Sequence, residues 1–263
     1  MKQMTLATSG RALPFVVETC AYEGVKRVAG KVTKDVEAVC GALPAIVTDV
    51  SGQCVICATL GQSSLLEQLC KAGKMDMSAL TGKREVFCIR LIEKPFANVE
   101  QALVICGSDK LGTIYGMFAL SEYIGVSPFC YFGDAKPQMK EEIVIEADIE
   151  QISKEPDVKY RGFFINDEWP CFGNWTFDHF GGFTAQMYDH VFEFLLRMKG
   201  NYLWPAMWSN SFNLDGMEGV DGKFKELEKE YHYMLNGVMH IDSYPEDVKE
   251  YRVQNINRLY GEK

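Results

Sequence analysis

Two short strand-like runs separated by one long amphipathic helix constrain this chain more than any other feature. YRGFFINDEW (160–169) opens as a strand and ends in adjacent carboxylates, Asp167 and Glu168. YLWPAMWSNSFNLD (202–215) opens as a second strand and runs into tryptophans and amides. Between them, Met187, Tyr188, Val191, Phe194, Leu195 and Met198 recur at three- and four-residue steps, behind Thr184 as N-cap and ahead of Gly200 as the stop. A strand, a crossover helix and a second strand of this length make a parallel pair. In such a pair both carboxyl ends lie on one rim. Asp167 and Glu168 are therefore expected to face Trp204, Trp208 and Asn210 across a shared opening.

The preceding 150 residues alternate between strand and helix patterns. Residues 14–19 (PFVVET), 44–50 (PAIVTDV), 53–60 (QCVICATL), 85–93 (EVFCIRLIE), 102–108 (ALVICGS) and 141–148 (EEIVIEAD) are the expected strands. Val25, Val28, Val32, Val36 and Val39 mark an amphipathic helix over 24–40 that stops at Gly41. Residues 63–71 form a shorter helix capped by a serine, and 109–124 a third with Leu111, Ile114, Tyr115, Phe118 and Tyr123 on one face. This is an α/β domain with a mixed sheet, residues 1–150. The polar stretch 149–159, containing Pro156, is the expected boundary to a second domain, 151–263. Two further amphipathic patterns, 223–236 and 245–260, form a helical tail.

Composition excludes several partners. A net charge of −9 and a pI near 5.1, with no basic run, argue against a nucleic-acid backbone. The amino terminus lacks the apolar core of a leader, and no apolar run reaches membrane-spanning length. Nine cysteines scattered through strand and helix patterns fit reduced thiols in a cytoplasmic protein. Cys54 and Cys57 form a C-x-x-C, but three residues apart on a strand they point to opposite faces, which suits buried small hydrophobes better than a zinc or redox site. No metal-ligand cluster is evident, and no cofactor is expected. The run Gly107 to Thr113 imitates a phosphate loop but lacks the lysine before its threonine. A tight strand-to-helix turn accounts for it better.

Carboxylates beside large aromatic planes suit sugar chemistry, in which acids work on a glycosidic oxygen and flat side chains support the ring. Glu168 and Asp167 are the candidate catalytic carboxylates. Consecutive residues on an extended chain point oppositely, which favours Glu168 as the one facing the cleft. Asn166, Trp204, Trp208, Asn210 and Asp215 are the candidate substrate-binding residues, although Trp204 also suits core packing and Asp215 a simple Asp-Gly turn. His179, ahead of Gly181 and Gly182, is expected in a loop, and His190 on a helix as a surface or satisfied packing residue.

The strings ALVICGSDKLGTIYGMFALSEYIGVSP (102–128), VKYRGFFINDEWP (158–170) and VFEFLLRMKGNYLWPAMWSNSF (191–212) resemble the amino-terminal portion of glycoside hydrolase family 115, the xylan α-1,2-glucuronidases. The resemblance implies an α/β domain followed by a (β/α)8 barrel. It implies removal of glucuronic acid or its 4-O-methyl form from xylan or xylooligosaccharides, with inversion and without a cofactor. It also implies Glu168 as a substrate-contacting or catalysis-assisting carboxylate, with Asn166, Trp208 and Asn210 lining a uronic-acid pocket. Residues 151–263 are too few for a closed barrel, which needs at least about 200 residues. The expected architecture is therefore the first βαβ part of an incomplete barrel, on a fragment with negligible activity alone. Arg161 lies at the amino end of its strand, the wrong end for a uronate partner. A non-catalytic carbohydrate-binding module and a truncated open reading frame are the alternative readings.

Overall fold

The computed structural model describes residues 3–166, 168 and 170–204. They form two compact units, the first ending at Asp157 and the second beginning at Val158. Both mix helices and strands. The expected tail helices, 223–236 and 245–260, lie outside the described residues.

The first unit opens with β1 (Met4–Thr8), β2 (Arg11–Ala12) and β3 (Phe15–Val16), followed by α1 (Glu23–Cys40), β4 (Ile46–Val47), β5 (Cys54–Thr59) and α2 (Ser64–Lys71). It continues through β6 (Phe87–Glu93), β7 (Gln101–Gly107), α3 (Lys110–Ile124), β8 (Glu142–Ile145) and β9 (Glu150–Ile152). The six-stranded sheet has the order β4-β3-β5-β7-β6-β9. β4, β3, β5 and β7 run parallel, while β6 and β9 join antiparallel. Every residue of β5 and β7 is buried, as expected of central parallel strands covered on both faces.

Alternation along these strands separates two layers. Cys54, Ile56, Ala58, Ala102, Val104 and Cys106 pack with Leu66 and Leu69 of α2. The opposite face receives α3, whose Gly116 lies against Ile105 and Phe87; a Cβ there would sit 2.8 Å from Ile105 Cγ2. Cys54 and Cys57 thus do lie buried on a strand, and burial pushes their thiols up to about 11 and about 12.

The capping chemistry follows the sequence. Ser63 accepts from Leu66 N, Asp109 accepts from Gly112 N, and Gly41 takes the left-handed conformation after α1. Both Asp109 carboxylate oxygens are engaged, the second by Glu85 N, so the turn into α3 is closed by its own side chain. Gly112 cannot be replaced without its Cβ striking the Val86 carbonyl. Close packing, as expected, explains the glycines of that loop.

Three expectations change. The strand within 141–148 leaves the large sheet and pairs instead with β1, an element missed in the sequence, giving a separate antiparallel sheet of order β2-β1-β8. β9 occupies part of the polar 149–159 stretch, because an edge strand tolerates three exposed residues. α3 is buried almost all round rather than on one face, being held between α1 and the sheet, and only Glu122 and Tyr123 near its end are exposed.

Candidate functional site

The second unit begins with β10 (Gly162–Phe164), α4 (Cys171–Phe180), α5 (Ala185–Arg197) and β11 (Tyr202–Trp204). β10 and β11 pair in parallel, with Gly162 opposite Tyr202, Phe163 opposite Leu203 and Phe164 opposite Trp204. One more rung extends the ladder, from Ile165 N to the Trp204 carbonyl at 2.8 Å. The two carboxyl ends therefore share a rim, as the spacing required.

Residues at the other end set this register. Asn201, 7% exposed, accepts from Arg161 N on Oδ1 at 2.9 Å and donates through Nδ2 to the Lys159 carbonyl at 2.8 Å. The Arg161 guanidinium donates to the carbonyls of Lys199 and Val158. It caps the approach from α5 at the amino end of β10, away from the rim. A Cβ on Gly162 would collide with the Tyr202 carbonyl, so only glycine lets the strands meet there.

The helix faces are aromatic. Phe163 lies 5.9 Å from Phe194 of α5, whereas Phe164 and Trp204 make an edge-to-face pair at 5.0 Å, with Phe164 42% exposed. The strand pair thus packs one side on α5 and carries an aromatic surface on the other. α5 is capped by Thr184, as expected, but its buried apolar residues are Met187, Tyr188, Val191, Phe192, Leu195 and Leu196. Met198 is exposed, because the helix ends at Arg197. The chain then turns at Lys199, whose φ of 58° is left-handed, while Gly200 serves a close approach to Leu195.

α4 was not expected. Phe172, Trp175, Thr176, His179 and Phe180 follow an i, i+3, i+4, i+7, i+8 pattern, and Gly181 ends it in the left-handed conformation. That signal lies in the sequence, but the flanking Pro170 and Gly181-Gly182 gave the impression of a loop. His179 therefore sits on the last helical turn rather than in a loop. Its ring stacks on Trp175 at 4.5 Å, and its Nδ1 lies 2.8 Å from the Trp175 carbonyl. Phe172 stacks on Trp175 at 5.8 Å, and Phe180 lies 5.7 Å from the half-buried His190.

Of the candidate residues, Asn166 and Glu168 are exposed in the segment between β10 and α4. The Glu168 carbonyl accepts from Gly173 N at 2.9 Å, tying this segment to the first turn of α4. Trp204 ends β11 and is half-buried. Asp167, Trp208, Asn210 and Asp215 lie outside the described residues. On such a rim a carboxylate accepts hydrogen bonds from sugar hydroxyls, and an aromatic plane supports the apolar face of a pyranose. Among the described residues, no three His, Cys, Asp or Glu side chains are grouped to hold a metal ion, and no helix is long and apolar enough to cross a membrane.

Residues 153–262 match the family model of glycosyl hydrolase family 115. No curated protein sequence matches the chain. Among solved structures, the fold is similar to that of BtGH115A, a family GH115 4-O-methyl-alpha-glucuronidase with specificity for decorated arabinogalactans, at TM-score 0.73 and 29% identity. That likeness covers 87% of this chain and 28% of the other, so this chain spans well under half of its neighbour's length. A second structure, of CpGH84D, matches at TM-score 0.48 and 11% identity over 98% of this chain and 39% of that one. The matched segment at 153–262 and a fold shared with a family 115 enzyme relate this chain to glycosyl hydrolase family 115.

Proposed function

We propose that the chain is the amino-terminal part of a cytoplasmic α-glucuronidase that removes glucuronic acid or its 4-O-methyl form from α-1,2 linkage on xylan-type chains, with inversion. The parallel β10–β11 pair carries the reading: it sets Asn166, Glu168 and Trp204 at the carboxyl ends of adjacent strands, on a chain whose 153–262 segment matches a glycoside hydrolase family. The pair also suits the first βαβ part of a (β/α)8 barrel. α5 covers one face as an outer helix would, and the Phe164–Trp204 face is the one a barrel would enclose.

Glu168 contacts the uronic sugar or assists its hydrolysis, and Asp167 is the second carboxylate of the pair. Asn166, Trp204, Trp208, Asn210 and Asp215 line the pocket. Inversion requires an acid and a base roughly 6.5–9.5 Å apart across the bond. The partner carboxylates would lie on further barrel strands, and residues 1–263 alone are expected to turn over aldouronic acids negligibly. Assay beside a full-length relative tests this, and comparable rates would refute it. In a full-length context, Glu168→Ala is expected to lower kcat/KM by at least about a hundredfold. Unchanged kinetics would remove Glu168 from the site.

The neighbour's specificity for decorated arabinogalactans favours a second substrate reading. The same uronic cap would then be cleaved from an arabinogalactan side chain. Release of glucuronic acid from the two polymers, compared in parallel, separates the readings.

A further inference from the structure

A cavity of carbohydrate scale lies within the first unit. It encloses about 300 Å³ and is lined by Thr5, Leu6, Ala7, Thr8, Arg11, Leu13 and Gln53. That volume is at the lower end for ligand pockets, enough for one sugar ring rather than a chain.

The small sheet builds this surface by two devices. Thr5 and Thr8 are three residues apart, and a regular strand would point them to opposite faces. Thr5 pairs with Val144 and Ala7 with Ile143, so β1 carries one extra residue there, a bulge. The extra residue returns Thr8 to the face of Thr5. Arg11 is directly opposite Thr8 across the β1–β2 pair, so its side chain emerges on that same face. The turn between them uses Gly10 at φ 98°, a conformation that glycine adopts without strain.

The chemistry of the lining is selective. Among the described residues, the side chains of Thr5, Thr8 and Arg11 have no hydrogen-bond or ion-pair partner, so two hydroxyls and a guanidinium remain to be used. Gln53 donates through Nε2 to Gln101 at 2.8 Å, which holds its amide in place and leaves its own carbonyl oxygen as an acceptor. Leu6, Ala7 and Leu13 are buried beneath, none more than 6% exposed, and hold the strand backbone in place. No aspartate or glutamate lines the cavity, in a chain with 36 acidic and 27 basic residues. Glu142, the other cross-strand partner of Thr8, is exposed and lies outside the lining.

We infer that this cleft, built by the β1 bulge and carrying Thr5, Thr8, Arg11 and Gln53, is a binding subsite for a small hydroxylated carboxylate, a hexuronate. The guanidinium takes the carboxylate, and the threonines and Gln53 take ring hydroxyls. The choice of a hexuronate among hydroxylated carboxylates rests on the function proposed above, whereas the preference for an anion with hydroxyls rests on the lining alone.

Titration of the whole chain with D-glucuronate, D-glucose and acetate, followed by calorimetry or amide chemical shifts, tests the assignment. Saturable glucuronate binding is expected, with glucose and acetate each at least about tenfold weaker. Arg11→Met should weaken glucuronate by about tenfold or more, and the double variant T5V/T8V should also weaken it, both with unchanged melting. Glu168→Ala should leave the Arg11-dependent component of this binding intact. Absence of saturable binding overturns the inference. So does glucose binding as well as glucuronate, or binding lost in Glu168→Ala but kept in Arg11→Met. Failure of the glucuronidase assay alone leaves the titration result standing.

Discussion

Asn201 and Arg161 show how polar side chains at the amino end of a strand pair fix the register that reaches its carboxyl end. Asn201→Ala leaves the Arg161 amide proton and the Lys159 carbonyl without their side-chain partner, and is expected to cost about 1–3 kcal/mol by chemical denaturation. The Glu193–Arg197 pair on α5 is a second such point, at 2.7 Å with Arg197 only 4% exposed. Lys110 carries a pH signature. Burial lowers its ammonium to about 8, against the upward pull of Asp109. The unfolded chain keeps that proton up to about pH 10.4, so between about pH 8 and 10.4 it binds more protons than the folded chain. Stability therefore rises with pH across that window, and the burial penalty is fully present below it. Lys110→Met should stabilise at pH 7 by on the order of 2 kcal/mol, with the advantage shrinking toward pH 10. A constant difference across that range would contradict the assignment. The raised thiols of Cys54 and Cys57 predict that alkylating agents at pH 7.5 label exposed Cys20 and Cys171 first. Cys54 and Cys57 should react only on the timescale of unfolding, read by peptide mass.

Elements were legible where side-chain period and terminal chemistry agreed. α1 shows the valine stripe and the glycine stop together, and α2 shows the serine cap. α4 shows the period and a glycine stop too, but it is short, and its run between Pro170 and Gly181-Gly182 also fits a loop. Glycines separate the two uses of a missing side chain. Gly30, in α1, has open space where a Cβ would go, so Gly30→Ala is expected to stabilise by about 0.5–1 kcal/mol. Gly162 has the Tyr202 carbonyl in that place, so Gly162→Ala should force β10 from β11 and destabilise by several times as much. Thermal melts of the two variants should move in opposite directions. Equal shifts would mean that the close approach of the two strands does not matter for stability.

At the scale of the whole molecule, the first unit contains both of its sheets and the helices that cover them, with nearly all of β5 and β7 enclosed. Residues 1–157 alone are therefore expected to fold and melt cooperatively, as measured by calorimetry. A gradual, non-cooperative loss of structure would refute that. The sequence by itself determined the kinds of element and the parallel sense of the β10–β11 pair, because hydrophobic period and crossover length are properties of neighbouring residues. The tertiary structure alone decided which strands became partners. β8 left the large sheet for β1, and β9 joined its edge, since pairing between distant segments depends on which hydrogen-bonding edges remain uncovered once the core has closed. It alone decided that a bulge would turn Thr5 and Thr8 to one face beside Arg11, because a one-residue register shift is defined only against a partner strand.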